Sequence, residues 1–234
     1  MTRRAAIVTG ANRGIGLEFA RQYAADGWRI FACCRHPEEA TELNALSQQH
    51  DGQITVHMLD VADFLQIERL ADELAGHDLD LLINNAGIYP DSTSGGFGAT
   101  NYEGWAHAFR VNTMAPLKMA ETFAPNVARG QQKKIVNITS KMGSIVDNTS
   151  GGAYIYRSSK AALNMVVKSL SYDLAARGIL TAILHPGWVQ TDMGGPNALI
   201  TTEQSVADMR DVIARLSKAN SGKFYSYDGQ EIPW

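Results

Sequence analysis

Cysteine is nearly absent from this chain: two occur among 234 residues, and they are neighbours, Cys33 and Cys34. Adjacent residues in a strand point to opposite faces, so the pair is ill placed for a structural disulfide, and a reducing, cytoplasmic setting is the expectation. The Asn-x-Ser/Thr matches at Asn137 and Asn148 then carry little weight as glycosylation sites. Positive charge is not in surplus either. A formal net charge of −3 argues against a partner that is nucleic acid, which calls for a basic surface or stripe. Long apolar runs are missing as well. The basic pair Arg3-Arg4 leads into only five apolar residues with no small-residue cleavage site, which reads as neither a signal peptide nor a membrane span. No metal site, repeat, low-complexity tract or linker stands out, so residues 1–234 are expected to form a single domain.

What the chain does contain is an alternation of short β-rich apolar runs with longer segments of helical period. Strands are expected at Ala5 to Thr9, Arg29 to Cys34, Ile54 to Leu59, Leu79 to Asn84, Lys134 to Ser140, Ile179 to His185 and Lys223 to Ser226. Helices are expected near Gly14 to Asp26, Glu38 to His50, Phe64 to Ala75, Glu103 to Ala128, Ala153 to Arg177 and Thr202 to Ser217. Strands separated by helices of this length imply right-handed βαβ crossovers. The fold class is therefore α/β: a Rossmann-type, doubly wound parallel sheet of about seven strands with helices on both faces. Such a sheet binds its ligand beyond the carboxyl ends of the strands. Residues 88–100 and 143–152, rich in Gly, Ser, Thr and Asp, read as loops at that edge.

The first strand runs into Thr9-Gly10-Ala-Asn12-Arg13-Gly14-Ile15-Gly16 and then an amphipathic helix. Glycines there allow a tight turn and let backbone N–H groups at a helix N-terminus approach a pyrophosphate, although the spacing departs from G-x-G-x-x-G. The second strand ends in Cys34-Arg35, without the acidic residue that usually binds the ribose 2′-hydroxyl of NAD. Arg13 is within reach of the same corner, and two guanidinium groups suit a 2′-phosphate, so NADP(H) is preferred over NAD(H). Asp60, followed by Val61, either binds an adenine amino group or caps the next helix. Asn84-Asn85-Ala86-Gly87 closes the fourth strand with residues small enough for close cofactor contact.

Tyr156 and Lys160 lie one helical turn apart, which places a phenol beside a cation. A neighbouring positive charge favours the phenolate and is expected to draw its pKa from about 10 toward the working range. Tyr154 is a rival without a lysine four residues on. Alternation puts Ser140 and Thr139 on opposite faces.

In order along the chain, Thr9 to Gly16, Asn84 to Gly87, Asn112 within Arg-Val-Asn-Thr, Ser140 after Val-Asn-Ile-Thr, Tyr156-x-x-x-Lys160, and Pro186-Gly187 followed by Thr191 resemble the motifs of the short-chain dehydrogenase/reductase family across essentially the whole sequence. The segment Gly143 to Lys160, Arg35 and the ending Gly229 to Trp234 look most like the C-factor and Sniffer-like carbonyl reductase group. The resemblance selects Ser140 over Thr139 and implies Asn112, Ser140, Tyr156 and Lys160 as the catalytic set. Tyr156 would be the proton donor, Ser140 the oxyanion partner, and Lys160 the residue that binds the nicotinamide ribose, while Asn112 would hold a water relaying protons to it. It further implies that Gly10, Asn12, Arg13, Gly14, Ile15, Gly16, Arg35, Asp60, Val61, Asn85, Ala86, Gly87, Pro186, Gly187, Val189 and Thr191 join Tyr156 and Lys160 around the cofactor.

The implied activity is NADP(H)-dependent reduction of an aldehyde, ketone or quinone, or the reverse oxidation of an alcohol. Its partner would be a small-molecule substrate, with a homodimer, or a tetramer, formed through the long helices carrying Asn112 and Tyr156. Met142, Ile145, Tyr89, Trp188 and Met193 are candidates for an apolar substrate pocket, with a hinge at Gly194-Gly195-Pro196. A C-factor-like signalling or regulatory NAD(P)-binding protein is the alternative, and an epimerase or dehydratase a more distant one.

Overall fold

The computed structural model describes residues 3–92 and 96–234. Seven strands, β1 (Ala5–Thr9), β2 (Arg29–Cys34), β3 (Ile54–Met58), β4 (Leu81–Asn84), β5 (Lys134–Ile138), β6 (Leu180–His185) and β7 (Lys223–Ser226), form one sheet in the order β3-β2-β1-β4-β5-β6-β7. Every pairing between them is parallel. Central strands buried on both faces have no polar side, which is why they read as continuous apolar runs. The residues still alternate in direction. Ala6, Val8 and Ile30 pack beneath α1 (Gly14–Ala25), α2 (Thr41–Gln49) and α7 (Thr202–Ala214), against Phe19, Tyr23, Leu43 and Met209. Ile7, Phe31 and Leu82 face the other way, toward Ile67 of α3 (Phe64–Glu73) and Met119 and Phe123 of α5 (Ala115–Arg129). The doubly wound sheet expected from the sequence is the sheet present, and its strand order reverses direction between β1 and β4, where such folds open a ligand crevice.

Several boundaries differ for identifiable reasons. The second helix was expected from Glu38, but Pro37 starts a separate 3₁₀ turn, Pro37–Glu39, before α2 begins at Thr41. β4 begins at Leu81 instead of Leu79 because the Asp80 carboxylate caps the sheet edge, accepting from the N–H groups of Ala5, Gln131 and Gln132 at 2.9–3.0 Å. β5 ends at Ile138, and Ser140 instead caps a 3₁₀ turn through its hydroxyl, which accepts from Met142 N at 3.1 Å.

The long helix expected over Glu103 to Ala128 is two helices. α4 (Tyr102–Phe109) and α5 are joined by a π-helical turn at Arg110–Met114. Pro116 has no N–H, so the ordinary α-helical bond to the Asn112 carbonyl does not exist. π turns inside helices are frequent at functional sites, and this one holds Asn112.

Candidate active site

A cleft of about 590 Å³ lies along the carboxyl edge, from the glycine turn after β1 to the start of α6 (Tyr154–Asp173). Its lining includes Gly10, Asn12, Arg13, Gly14, Ile15, Gly16, Arg35, Asp60, Val61, Asn85, Ala86, Gly87, Tyr156, Lys160, Pro186 and Thr191. Ser140, Gly187 and Val189 are not part of that lining. Glu42, His107 and Gln190 are, although the sequence did not single them out.

The phosphate end is built by contacts that leave no room for side chains. A Cβ on Gly16 would lie 2.1 Å from the Gly10 carbonyl oxygen and 2.6 Å from Asn85 Nδ2, and Gly10 itself sits at φ +66° against Ala86. Asn85 braces the turn by donating Nδ2 to the Thr9 and Gly10 carbonyls at 2.9 and 3.2 Å. The Thr9 hydroxyl accepts in return from the N–H groups of Asn85 and Ala86, both at 3.0 Å. α1 has no side-chain cap and no acidic residue in its first turn, so its free N–H groups and positive end face the cleft. These features fit a dinucleotide pyrophosphate.

Arg13 and Arg35 both line this end, but Arg13 is ion-paired with Asp192 from the loop after β6, and both side chains are exposed. Asp60 closes a turn, its Oδ1 accepting from Ala62 N at 2.9 Å, and it also lines the cleft. The cap of α3 is supplied by Asp63, which accepts from Leu65 N and Gln66 N. The helix-capping alternative for Asp60 is thereby excluded.

At the other end, Tyr156 is buried, with Ser140 close enough to its hydroxyl to favour the phenolate. Thr139 lines the cleft, but its hydroxyl is committed to Asn164 Oδ1, to which it donates at 2.8 Å. Tyr154 is exposed on the outer side of the same helix. Lys160 Nζ donates to the Ile138 carbonyl at 3.0 Å and lies 5.7 Å from the centre of the Tyr156 ring. Gly87 leaves open the space in front of it, since a Cβ there would lie 3.4 Å from Lys160 Nζ.

The expectation that Lys160 draws the Tyr156 pKa down is corrected here: the phenol is pushed up to about 12. Burial disfavours the phenolate most, Ser140 opposes it in part, and Tyr89 adds to the rise. Burial likewise pushes the Lys160 ammonium down to about 8. The buried pair therefore enters neutral solution as a phenol beside a mostly protonated amine.

The Asn112 side chain is hydrogen-bonded at both its oxygen and its nitrogen. Oδ1 accepts from Ile88 N at 2.9 Å, while Nδ2 donates to the Ile88 carbonyl at 2.9 Å and to Ser159 Oγ at 3.0 Å. Ser159 Oγ passes the connection on to the Tyr156 carbonyl at 2.8 Å. Ser159 escaped notice in the sequence although it lies inside the Tyr-x-x-x-Lys interval.

Of the apolar candidates, Tyr89 packs edge-on against Tyr156 with ring centres 4.7 Å apart, and Met193 lines the cleft. Ile145 and Trp188 are exposed, with Trp188 Nε1 donating to the Gly194 carbonyl at 2.7 Å. Met142 meets Ser140 only through its backbone N–H. At the expected hinge, Gly194 is closely packed, since a Cβ there would fall 2.0 Å from the Val189 carbonyl oxygen, whereas Gly195, at φ +76°, has nothing within 4 Å. Part of the 88–100 loop, residues 93–95, lies outside the described residues.

A family model described as short chain dehydrogenase matches residues 4–199. The chain belongs to this family. It is 46% identical to the C-signal of Myxococcus xanthus over 159 residues, covering 67% of this chain and 93% of that protein. Carbonyl reductase Sniffer of D. melanogaster superposes with a TM-score of 0.91 at 33% identity, and an NADPH-bound carbonyl reductase from chicken fatty liver with 0.92 at 36% identity, each over the whole of both chains. This short-chain dehydrogenase thus falls with the C-factor and Sniffer-like members of the family. No group of three or more His, Cys, Asp or Glu among its described residues is placed to hold a metal ion, and none of the described helices is long and apolar enough to cross a membrane.

Proposed function

We propose that this short-chain dehydrogenase is an NADP(H)-dependent carbonyl reductase that uses Tyr156 as its proton donor. The observation that carries this reading is the buried Tyr156 beside Ser140, with Lys160 Nζ 5.7 Å from its ring, in the cleft that begins at the bare N-terminus of α1. Its likeness to an NADPH-bound carbonyl reductase supports both the cofactor and the substrate class.

The pyrophosphate would rest on the α1 N–H groups, and Arg35 with Arg13 would hold the 2′-phosphate, Arg13 by exchanging Asp192 for it. Lys160 would hold the nicotinamide ribose hydroxyls, and Pro186, Gly187, Val189 and Thr191 would flank the ring. Once bound, the cofactor contributes a hydride to the substrate's carbonyl carbon. Ser140 hydrogen-bonds the carbonyl oxygen as negative charge develops on it, and the Tyr156 phenol gives that oxygen its proton. Lys160 returns a proton to the phenolate. Since the Asn112 side chain is already bonded, the water that resupplies Lys160 would be held by the Asn112 main-chain carbonyl, the one deprived of a donor by Pro116. A small aromatic or aliphatic carbonyl compound fits the apolar approach past Tyr89 and Met193.

Screening aldehydes, ketones and quinones by NADPH oxidation, alongside NADH, tests the reading. Tyr156→Phe should cut turnover by roughly 10²- to 10⁴-fold while NADPH still binds. Undiminished turnover in that variant overturns the assignment.

Identity with the C-signal favours a second reading, a signalling role for the same cofactor-bound protein. Retention of a biological activity by Tyr156→Phe, together with its loss in an Arg13/Arg35 double variant, would separate signalling from catalysis. We also assign the protein to the cytoplasm as one domain that forms a homodimer through α5 and α6, where Met165 and Tyr172 stand exposed; light scattering tests the dimer.

A further inference from the structure

α6 carries Tyr156 and Lys160, yet its own sequence does little for its N-terminus. Asp63, Asn101 and Thr201 cap α3, α4 and α7 with their own side chains. The residue in that place on α6 is Ala153, which has no acceptor, and no acidic residue occupies the first turn. The approach is unfavourable as well. Gly151 and Gly152 both sit at φ +64° and Ala153 follows at φ +45°, a left-handed conformation that a residue with a Cβ adopts only at a cost. A helix that begins this way needs its free N–H groups satisfied from elsewhere.

Asp91 supplies what is missing, from 65 positions earlier in the chain. Its Oδ2 accepts from Tyr156 N at 2.6 Å and its Oδ1 from Ile155 N at 3.3 Å. Each carboxylate oxygen thus meets one N–H, and a negative charge stands at the positive end of the helix. Two residues before it, Tyr89 packs edge-on against the Tyr156 ring. One short stretch after β4 therefore holds both the backbone and the ring of the same tyrosine.

We infer that Asp91 is a positioning residue for the reaction, fixing through its cap on α6 the point from which the Tyr156 hydroxyl is presented. The inference rests on the reading of Tyr156 as proton donor. Asp91 does not line the cleft, so a carboxylate here would act on geometry and its removal should fall on the chemical step. Displacing a reacting group by an ångström is enough to cost about a hundredfold in rate.

The test compares Asp91→Ala, Asp91→Asn and Tyr156→Phe, with 4-nitrobenzaldehyde as probe substrate, NADPH binding followed by fluorescence, and amide hydrogen exchange at Ile155 and Tyr156. Asp91→Ala should lower kcat by roughly ten- to a hundredfold, with the aldehyde KM and the NADPH Kd changed by less than about threefold. Exchange at the two amides should accelerate. Asp91→Asn keeps one acceptor oxygen and should recover part of both losses. Wild-type kcat, or unchanged exchange, in Asp91→Ala overturns the inference; so does a kcat loss matched by loss of NADPH binding or of folded protein, which would mark Asp91 as a general structural residue. Normal turnover by Tyr156→Phe sinks the functional reading instead.

Discussion

Lys160 Nζ donates a hydrogen bond to the main-chain carbonyl of Ile138, at the point where β5 leaves the sheet. The bond orients the amine without neutralising it, and burial lowers its pKa to about 8. The proposed mechanism needs Lys160 protonated, whereas the Tyr156 phenol, at about 12, stays protonated throughout the accessible range. kcat/KM for reduction is therefore expected to fall as pH rises through about 8, with no limb from the tyrosine. A profile flat to pH 10 contradicts this. Stability should move the other way: between about pH 8 and the ordinary lysine value of 10.5 the unfolded chain holds the proton more tightly, so this group's contribution to native stability rises with pH. Melting of Lys160→Met, set against the parent protein, should lack that rise.

Gly16→Ala is expected to abolish dinucleotide binding, because its new methyl would meet the Gly10 carbonyl at 2.1 Å. Overpacking of this kind typically costs about 1–3 kcal/mol, so the melting temperature should drop as well. Gly27→Ala is the control. That residue has φ +81° and nothing within 4 Å, so it should lose stability through backbone strain and keep its cofactor. Equal binding loss in the two variants contradicts the steric account.

Cofactor preference should depend unequally on the two arginines. Arg35→Ala should weaken NADPH binding by roughly tenfold or more, the worth of a charged hydrogen bond, and leave NADH nearly unchanged. Arg13→Ala should cost less, since Arg13 must first leave Asp192. Asp192→Asn should improve NADPH affinity by about two- to fivefold at low salt, an advantage that salt screens away. Calorimetric titration of each variant with both dinucleotides checks all three.

Thr9→Val should unseat the fourth-strand loop. It strands the N–H groups of Asn85 and Ala86, each losing an acceptor at 3.0 Å, at a cost of about 1–3 kcal/mol apiece. Lower melting temperature and weaker NADPH binding are expected together, with Thr9→Ser restoring both. Weaker binding without any change in melting would point to direct cofactor contact by the hydroxyl.

The sheet was legible because strands buried on both faces must be apolar throughout, and the glycine turn because its shape tolerates nothing larger. The break at Arg110–Met114 was not legible from periodicity, since apolar residues continue on a helical period from Ala108 to Val127; the one local signal was Pro116, four residues past Asn112. Local motifs named Ser140, Tyr156 and Lys160, which the fold places near one another, yet missed the direction of the tyrosine shift, which depends on burial that no spacing reveals. Asp91 was beyond reach altogether. A cap drawn from another loop leaves no mark within the helix it serves.

The glycine turn is closed by Asn85, whose amide bonds the Thr9 and Gly10 carbonyls from 76 and 75 positions away. The nucleotide fingerprint is therefore not a detachable module. A chain emerging from the ribosome would have all its glycines long before it had the groove, and a truncated product ending ahead of β4 should compete poorly for dinucleotide despite carrying the complete motif.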